Sequence, residues 1–227
     1  MSQATLWAEL VAYGSGITLS PLHIGLLLLL LLGPQPLRRG GLLVLSWMVT
    51  VALIVAVLLT AGHGLLLTMA QGSSHRTGLD LLAAGALLAL GLKELLNREE
   101  EGNPPGWTRQ LDRFCAMPLP LLLGISCGLE VISPDDLFLF AKTASALLAA
   151  GLTRVQEVIC TLGFTLAASL ALLLPFLAVL IGREQVLPLL ERSKQLLFNK
   201  GDLLVGGLSL VLAGYMGWQG IEGLQLR

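Results

Sequence analysis

Two adjacent carboxylates, Asp135 and Asp136, directly follow Ser133-Pro134, 16 residues into a hydrophobic stretch of 34 residues. Serine as N-cap, proline at the first helical position and an acid three residues after the cap make a helix start. Both aspartates also suit the positive end of a helix dipole. Near a bilayer centre, however, a carboxylate costs roughly 3 kcal/mol unless it is paired or faces water. The motif therefore reads as a cap or as the wall of a polar cavity.

Lys142 follows Asp135 by seven residues, on the same helix face and roughly 10 Å further along the axis. It is the expected counter-charge, bridged to the aspartates by solute or water. Glu130 precedes the break on the same segment. The first segment has its own break, Ser20-Pro21, and His23 stands where Asp136 stands in the later copy. Histidine and carboxylates near the midplane suit proton coupling, because histidine titrates near neutral pH. His23 also reads as a hydrogen-bonded packing residue. The candidate binding residues are thus Asp135, Asp136, Lys142, Glu130 and His23, with Ser20, Pro21, Ser133 and Pro134 shaping the breaks. Glu9 and His63 lie nearer the ends of their segments and read as interfacial.

Catalytic patterns are missing: there is no nucleophile elbow, Walker A loop or HExxH. Cys115, Cys127 and Cys160 lack CxxC spacing and read as small apolar residues. No enzyme activity, metal or cofactor is expected. A net charge of −1 offers no field for nucleic acid.

Positioning these residues falls to helices in lipid. Of the 227 residues 55% are hydrophobic and 13% charged, and the mean hydropathy is +0.80. A soluble domain carries about twice that charged fraction. Hydrophobic segments at 5–32, 41–67, 78–96, 117–150, 154–181 and 202–224 each exceed the roughly 17 residues that cross the hydrocarbon core. Polar stretches at 71–77, 97–112 and 183–200 read as loops. The pieces flanking each Ser-Pro are too short to cross alone, so each pair reads as one interrupted helix, kinked where proline removes a backbone donor. Pro175 predicts a further kink in the fifth segment. No basic leader or small-residue cleavage site precedes the first segment, which is expected to stay in place.

The expected fold is all-α and integral to the membrane. Six transmembrane helices form two inverted three-helix repeats, with helices 1 and 4 broken at Ser-Pro. The breaks lie 113 residues apart, and GLDLLAAGALLALG loosely matches GDLLVGGLSLVLAG. A single membrane domain, 1–227, would then comprise repeat 1 (1–96), a cytoplasmic linker (97–113) and repeat 2 (114–227). In such a plan the site lies where broken helices meet. Ten of the 14 Lys and Arg fall on the first, third and fifth loops, which places both termini outside the cytoplasm. Gly214, Gly217, Gly220 and Gly223 read as a packing stripe. Trp7, Tyr215 and Trp218 fit an outer aromatic belt.

Several stretches together carry a family likeness: SPLHIGLLLLLLLGPQPLRRGG, ISPDDLFLF, and GREQVLPLLERSKQLL before a glycine-rich last span. Over nearly its whole length the chain resembles the Gap/Sap-like branch of the lysine exporter (LysE) superfamily. The resemblance implies a six-helix, two-repeat fold, a bacterial plasma membrane, and export of small solutes or outward movement of envelope lipids. Relatives show Asn-Pro-Lys where this chain has Ser133-Pro134-Asp135. That exchange puts a negative residue at the presumed site, which better suits a cation, a zwitterion or a proton. The superfamily's thiol-disulfide carriers have a cysteine in the first helix of each half. Gly14 stands opposite Cys127 here, so that activity is not expected.

The leading expectation is a secondary transporter, an exporter of a small solute or envelope lipid. Its partners would be the bilayer and that solute or ion, with a second copy or a membrane-protein companion left open. The competing expectation is a non-transporting assembly factor or subunit of a larger membrane complex, motivated by small size, short loops and glycine-rich faces.

Overall fold

A computed structural model describes residues 3–18, 20–64, 73–96, 117–132 and 134–225, with backbone alone at 21, 22, 94, 129, 132, 134, 135, 183, 184, 201, 202, 204 and 205. Ser133, Cys115 and the 97–113 linker lie outside the described residues, as do the side chains of Pro21, Pro134 and Asp135. Among the described residues all regular structure is helical: α1 Gln3–Thr18, α2 Pro21–Leu32, α3 Pro36–Gly64, α4 Ser74–Leu96, α5 Leu119–Ile132, α6 Pro134–Ala149, α7 Arg154–Ala168, α8 Leu170–Gly182, a 3₁₀ turn Arg183–Val186, and α9 Leu187–Gln225.

The unbroken run in α3 makes it the simplest element. Its 29 residues rise about 43 Å, enough to cross a bilayer. Trp47, Val51 and Val55 are buried, while Leu45, Val49, Leu53 and Val57 form an exposed apolar stripe, the face that suits lipid. By length and composition α3 is one span. Two more result if the bent pairs α1–α2 and α7–α8 each count as one. The first pair turns through 61° beside Ser20-Pro21. The second turns through 69°.

That second bend is not at Pro175, which α8 carries within its length. It falls six residues earlier, at Ser169, where freed backbone groups find partners. The Ala171 N–H donates to Thr18 Oγ1 at 2.9 Å, Trp47 Nε1–H donates to the Ala168 carbonyl at 3.3 Å, and Ser169 Oγ donates to the Thr165 carbonyl at 2.6 Å. Inside a membrane a helix breaks where protein replaces the lost backbone bonds.

Two expected loops are helical instead. Ser74–Thr77 is the first turn of α4. Leu187–Lys200 begins α9, because Leu, Glu, Arg, Lys and Gln are strong helix formers. Leu190 and Leu197, two turns apart, bury the inner face of this extension, and α9 packs on α2 as well as α4.

Helices α4 and α9 form the closest pair and run antiparallel. A Cβ on Gly206 would stand 3.2 Å from the Gly91 carbonyl, one on Gly217 3.7 Å from Ala84, and one on Gly220 2.7 Å from Leu81. Gly223 lies against Thr77. Small residues let the two backbones approach. Gly214, by contrast, faces open space.

Candidate functional site

Among the described residues the largest cluster of buried charge sits where α1, α4, α6 and α9 meet. Glu9 and Tyr13 lie one turn apart on α1, Arg76 and Asp80 on α4, and Tyr215 and Gln219 on α9. Four-residue spacing puts each pair on one helix face. Lys142 comes from α6.

Lys142 donates to Asp80 Oδ1, with the two side chains only 1% and 4% exposed. It also donates to Gln219 Oε1 at 3.1 Å, and its ammonium lies 5.6 Å from the centroid of the Tyr13 ring. The Tyr13 hydroxyl donates to the same Gln219 oxygen at 3.1 Å, and Gln219 Nε2 donates to the Tyr215 hydroxyl at 3.0 Å. Beside this group Arg76 donates to both oxygens of Glu9, at 3.2 and 3.4 Å, both side chains 7% exposed. Two acids and two bases thus balance inside the protein. Near them the hydroxyls of Thr77 and Ser145, three residues along their helices from Asp80 and Lys142, are buried without a hydrogen-bond partner.

These contacts bear on the expected site. Lys142 was expected to answer Asp135 and Asp136 on its own helix; among the described side chains its ammonium meets Asp80 of α4. A lysine stem reaches sideways to a packed neighbour more readily than two turns along its own axis. Glu9, read as interfacial, is buried because α4 packs Arg76 over it. The cluster is also not at the breaks. Glu9, Asp80 and Gln219 each lie six residues from a helix end, about 9 Å of rise.

Around the breaks the structure places a second polar layer. His23 is buried, with Nδ1 2.9 Å from Ser20 Oγ and Nε2 3.4 Å from the Ser126 carbonyl. A carbonyl only accepts, so Nε2 carries the proton and the Ser20 hydroxyl donates to Nδ1. The Ser20 side chain therefore serves His23 and makes no cap bond to α2. His23 also meets the Trp47 ring at a tilt of 59°, with centroids 4.4 Å apart. The first broken helix thereby touches α5 of the second. Glu130, on α5, and Asp136, in the first turn of α6, are both buried. Cys127 lies 2.8 Å from Ser46 Oγ and accepts from Thr50 Oγ1 at 3.1 Å; it and Cys160 are free thiols.

At the far end of α3, His63 Nε2 meets Glu157 Oε1 at 2.8 Å, and Arg154 donates to Glu157 Oε2 at 3.2 Å. Among the described residues no group of His, Cys, Asp and Glu is placed to hold a metal.

A protein-family model described as Sap, sulfolipid-1-addressing protein, matches residues 10–222. The chain belongs to the Sap family. The matched stretch takes in both Ser-Pro breaks and every residue of the charge cluster except Glu9. Membership and the apolar helices together make this Sap-family chain a membrane protein. Comparison with curated proteins and with solved structures finds no match.

Proposed function

We propose that this protein is a secondary transporter that moves an amphipathic molecule with an anionic headgroup, an envelope lipid or its kin, outward through the membrane. The observation that carries the reading is the buried, charge-balanced cluster of Glu9, Arg76, Asp80 and Lys142 on helices from both halves. A buried ion pair is a poor source of stability. In membrane proteins such groups mark substrate and proton pathways. The family description names a sulfolipid, and a sulfate ester is an anion that arginine and lysine bind well. Lys142 answers Asp80 and Arg76 answers Glu9, so the cluster holds two cationic groups that an anionic headgroup can use.

The pair can act as a switch. A proton on Asp80 ends its attraction for Lys142 and leaves the ammonium to bind a sulfate or phosphate oxygen. Loss of that proton returns Lys142 to Asp80 and expels the headgroup. Glu9 and Arg76 can repeat the exchange beside it. The unpartnered hydroxyls of Thr77 and Ser145 offer sites for the water that would deliver the proton. His23, Glu130 and Asp136 form the polar layer beside the breaks.

This reading takes the fold as six spans in two inverted halves, α1–α2, α3 and α4 against α5–α6, α7–α8 and α9, within the lysine exporter superfamily. The antiparallel packing of α4 on α9 supports it. The charge bias supports termini outside the cytoplasm of a bacterial cell.

The test is translocation of a fluorescent sulfated lipid between leaflets of proteoliposomes under a proton gradient. Wild-type protein moves the label faster than empty liposomes, and Asp80→Asn reduces the rate at least tenfold. Equal rates for wild type and empty liposomes contradict the reading. In that event a stoichiometric partner on native purification assigns the assembly-factor role.

A further inference from the structure

The turn joining α2 to α3 packs against the start of α5 around a cavity of about 440 Å³, lined by Pro34, Gln35, Arg38, Arg39, Met117, Pro118 and Leu119. We infer that this cavity binds a tetrahedral oxyanion ester, phosphate or sulfate, with Arg38 and Arg39 as its ligands.

The two walls differ in kind. One carries two guanidinium groups, and the other is Met117, Pro118 and Leu119. Arg39 is fixed in place: its Nη2 donates to the Met117 carbonyl at 3.0 Å, which leaves its remaining donors for another acceptor. Arg38 is exposed. Among the described residues neither guanidinium has a carboxylate within ion-pair distance. Both arginines lie in the first turn of α3, where the helix dipole opposes a cation. An anion held between them relieves that repulsion. The apolar wall suits the glycerol or first methylenes of a lipid, and a free anion would use the arginines alone.

The cavity is separate from the Asp80–Lys142 cluster. It lies at the start of α3, and no residue of the cluster lines it. The inference concerns binding and stands whether or not the protein transports.

Full-length protein in detergent is examined by native mass spectrometry with added phosphatidylglycerol or phosphatidylcholine. Separately, it is titrated with inorganic phosphate. Wild type retains phosphatidylglycerol in preference to phosphatidylcholine, and Arg38→Gln weakens that retention about tenfold, the effect of one charge-assisted contact. Among the described residues the Arg38 side chain makes no hydrogen bond or ion pair, so this variant keeps its fold; Arg38→Gln with Arg39→Gln abolishes the preference. Arg192→Gln, a control on an exposed α9 arginine outside the cavity, leaves it unchanged. Retained phosphatidylglycerol without phosphate binding assigns the site to a lipid headgroup. Arginine-dependent phosphate binding without lipid preference assigns it to a soluble anion. Absence of both in wild type, or equal losses for Arg38→Gln and Arg192→Gln, overturns the inference.

Discussion

Asp80 and Lys142 hold each other where little water can reach. Removing one member of such a pair leaves the other charge buried and unanswered, a loss of about 3–5 kcal/mol. Asp80→Asn and Lys142→Met each therefore lower thermal stability in detergent sharply. The double variant, with no charge left to strand, recovers most of that loss. Equal damage in single and double variants would show that the two side chains act independently. Thr18 works differently, through one backbone bond. Thr18→Val leaves the Ala171 N–H without its acceptor at the α7–α8 break and costs about 1–3 kcal/mol, read as a lower unfolding temperature. An unchanged temperature would mean that another group takes up the N–H.

At the level of elements, the α4–α9 pair rests on glycine. Gly206→Val pushes a side chain into Leu95 and the Gly91 carbonyl and costs about 1–3 kcal/mol. Gly214→Ala meets nothing within 4 Å and leaves stability within about 0.5 kcal/mol. A thermal melt of both variants checks the contrast, and similar losses would contradict it. The break beside Ser20-Pro21 was legible because Ser-Pro marks a break locally. The bend at Ser169 was not, because its stability comes from Thr18 and Trp47, distant in sequence. The same reason hid the charge cluster. Glu9 with Tyr13, Arg76 with Asp80, and Tyr215 with Gln219 each sit four apart, a spacing that reveals a shared face but not which faces meet. Three such pairs near helix ends were the available signal, and proximity to the ends made them look interfacial. Lys142 stood out by its charge, yet the sequence names neighbours only along its own helix, and its partner is across the interface.

Across the whole molecule one cluster ties together helices distant in the chain: α1 and α4 supply Glu9, Arg76 and Asp80, while α6 and α9 supply Lys142 and Gln219. With the charge bias, the proposed topology leaves a C-terminal tag accessible from outside intact cells; a tag reached only after lysis reverses the orientation. The central claim is that opposite charges at 80 and 142 drive translocation, and exchanging them tests it most directly. The rate of sulfated-lipid translocation is measured in proteoliposomes for Asp80→Lys, Lys142→Asp and the double exchange. The account predicts that each single variant falls at least tenfold and that the double exchange regains a substantial part of the wild-type rate. Single variants that transport like wild type would contradict it.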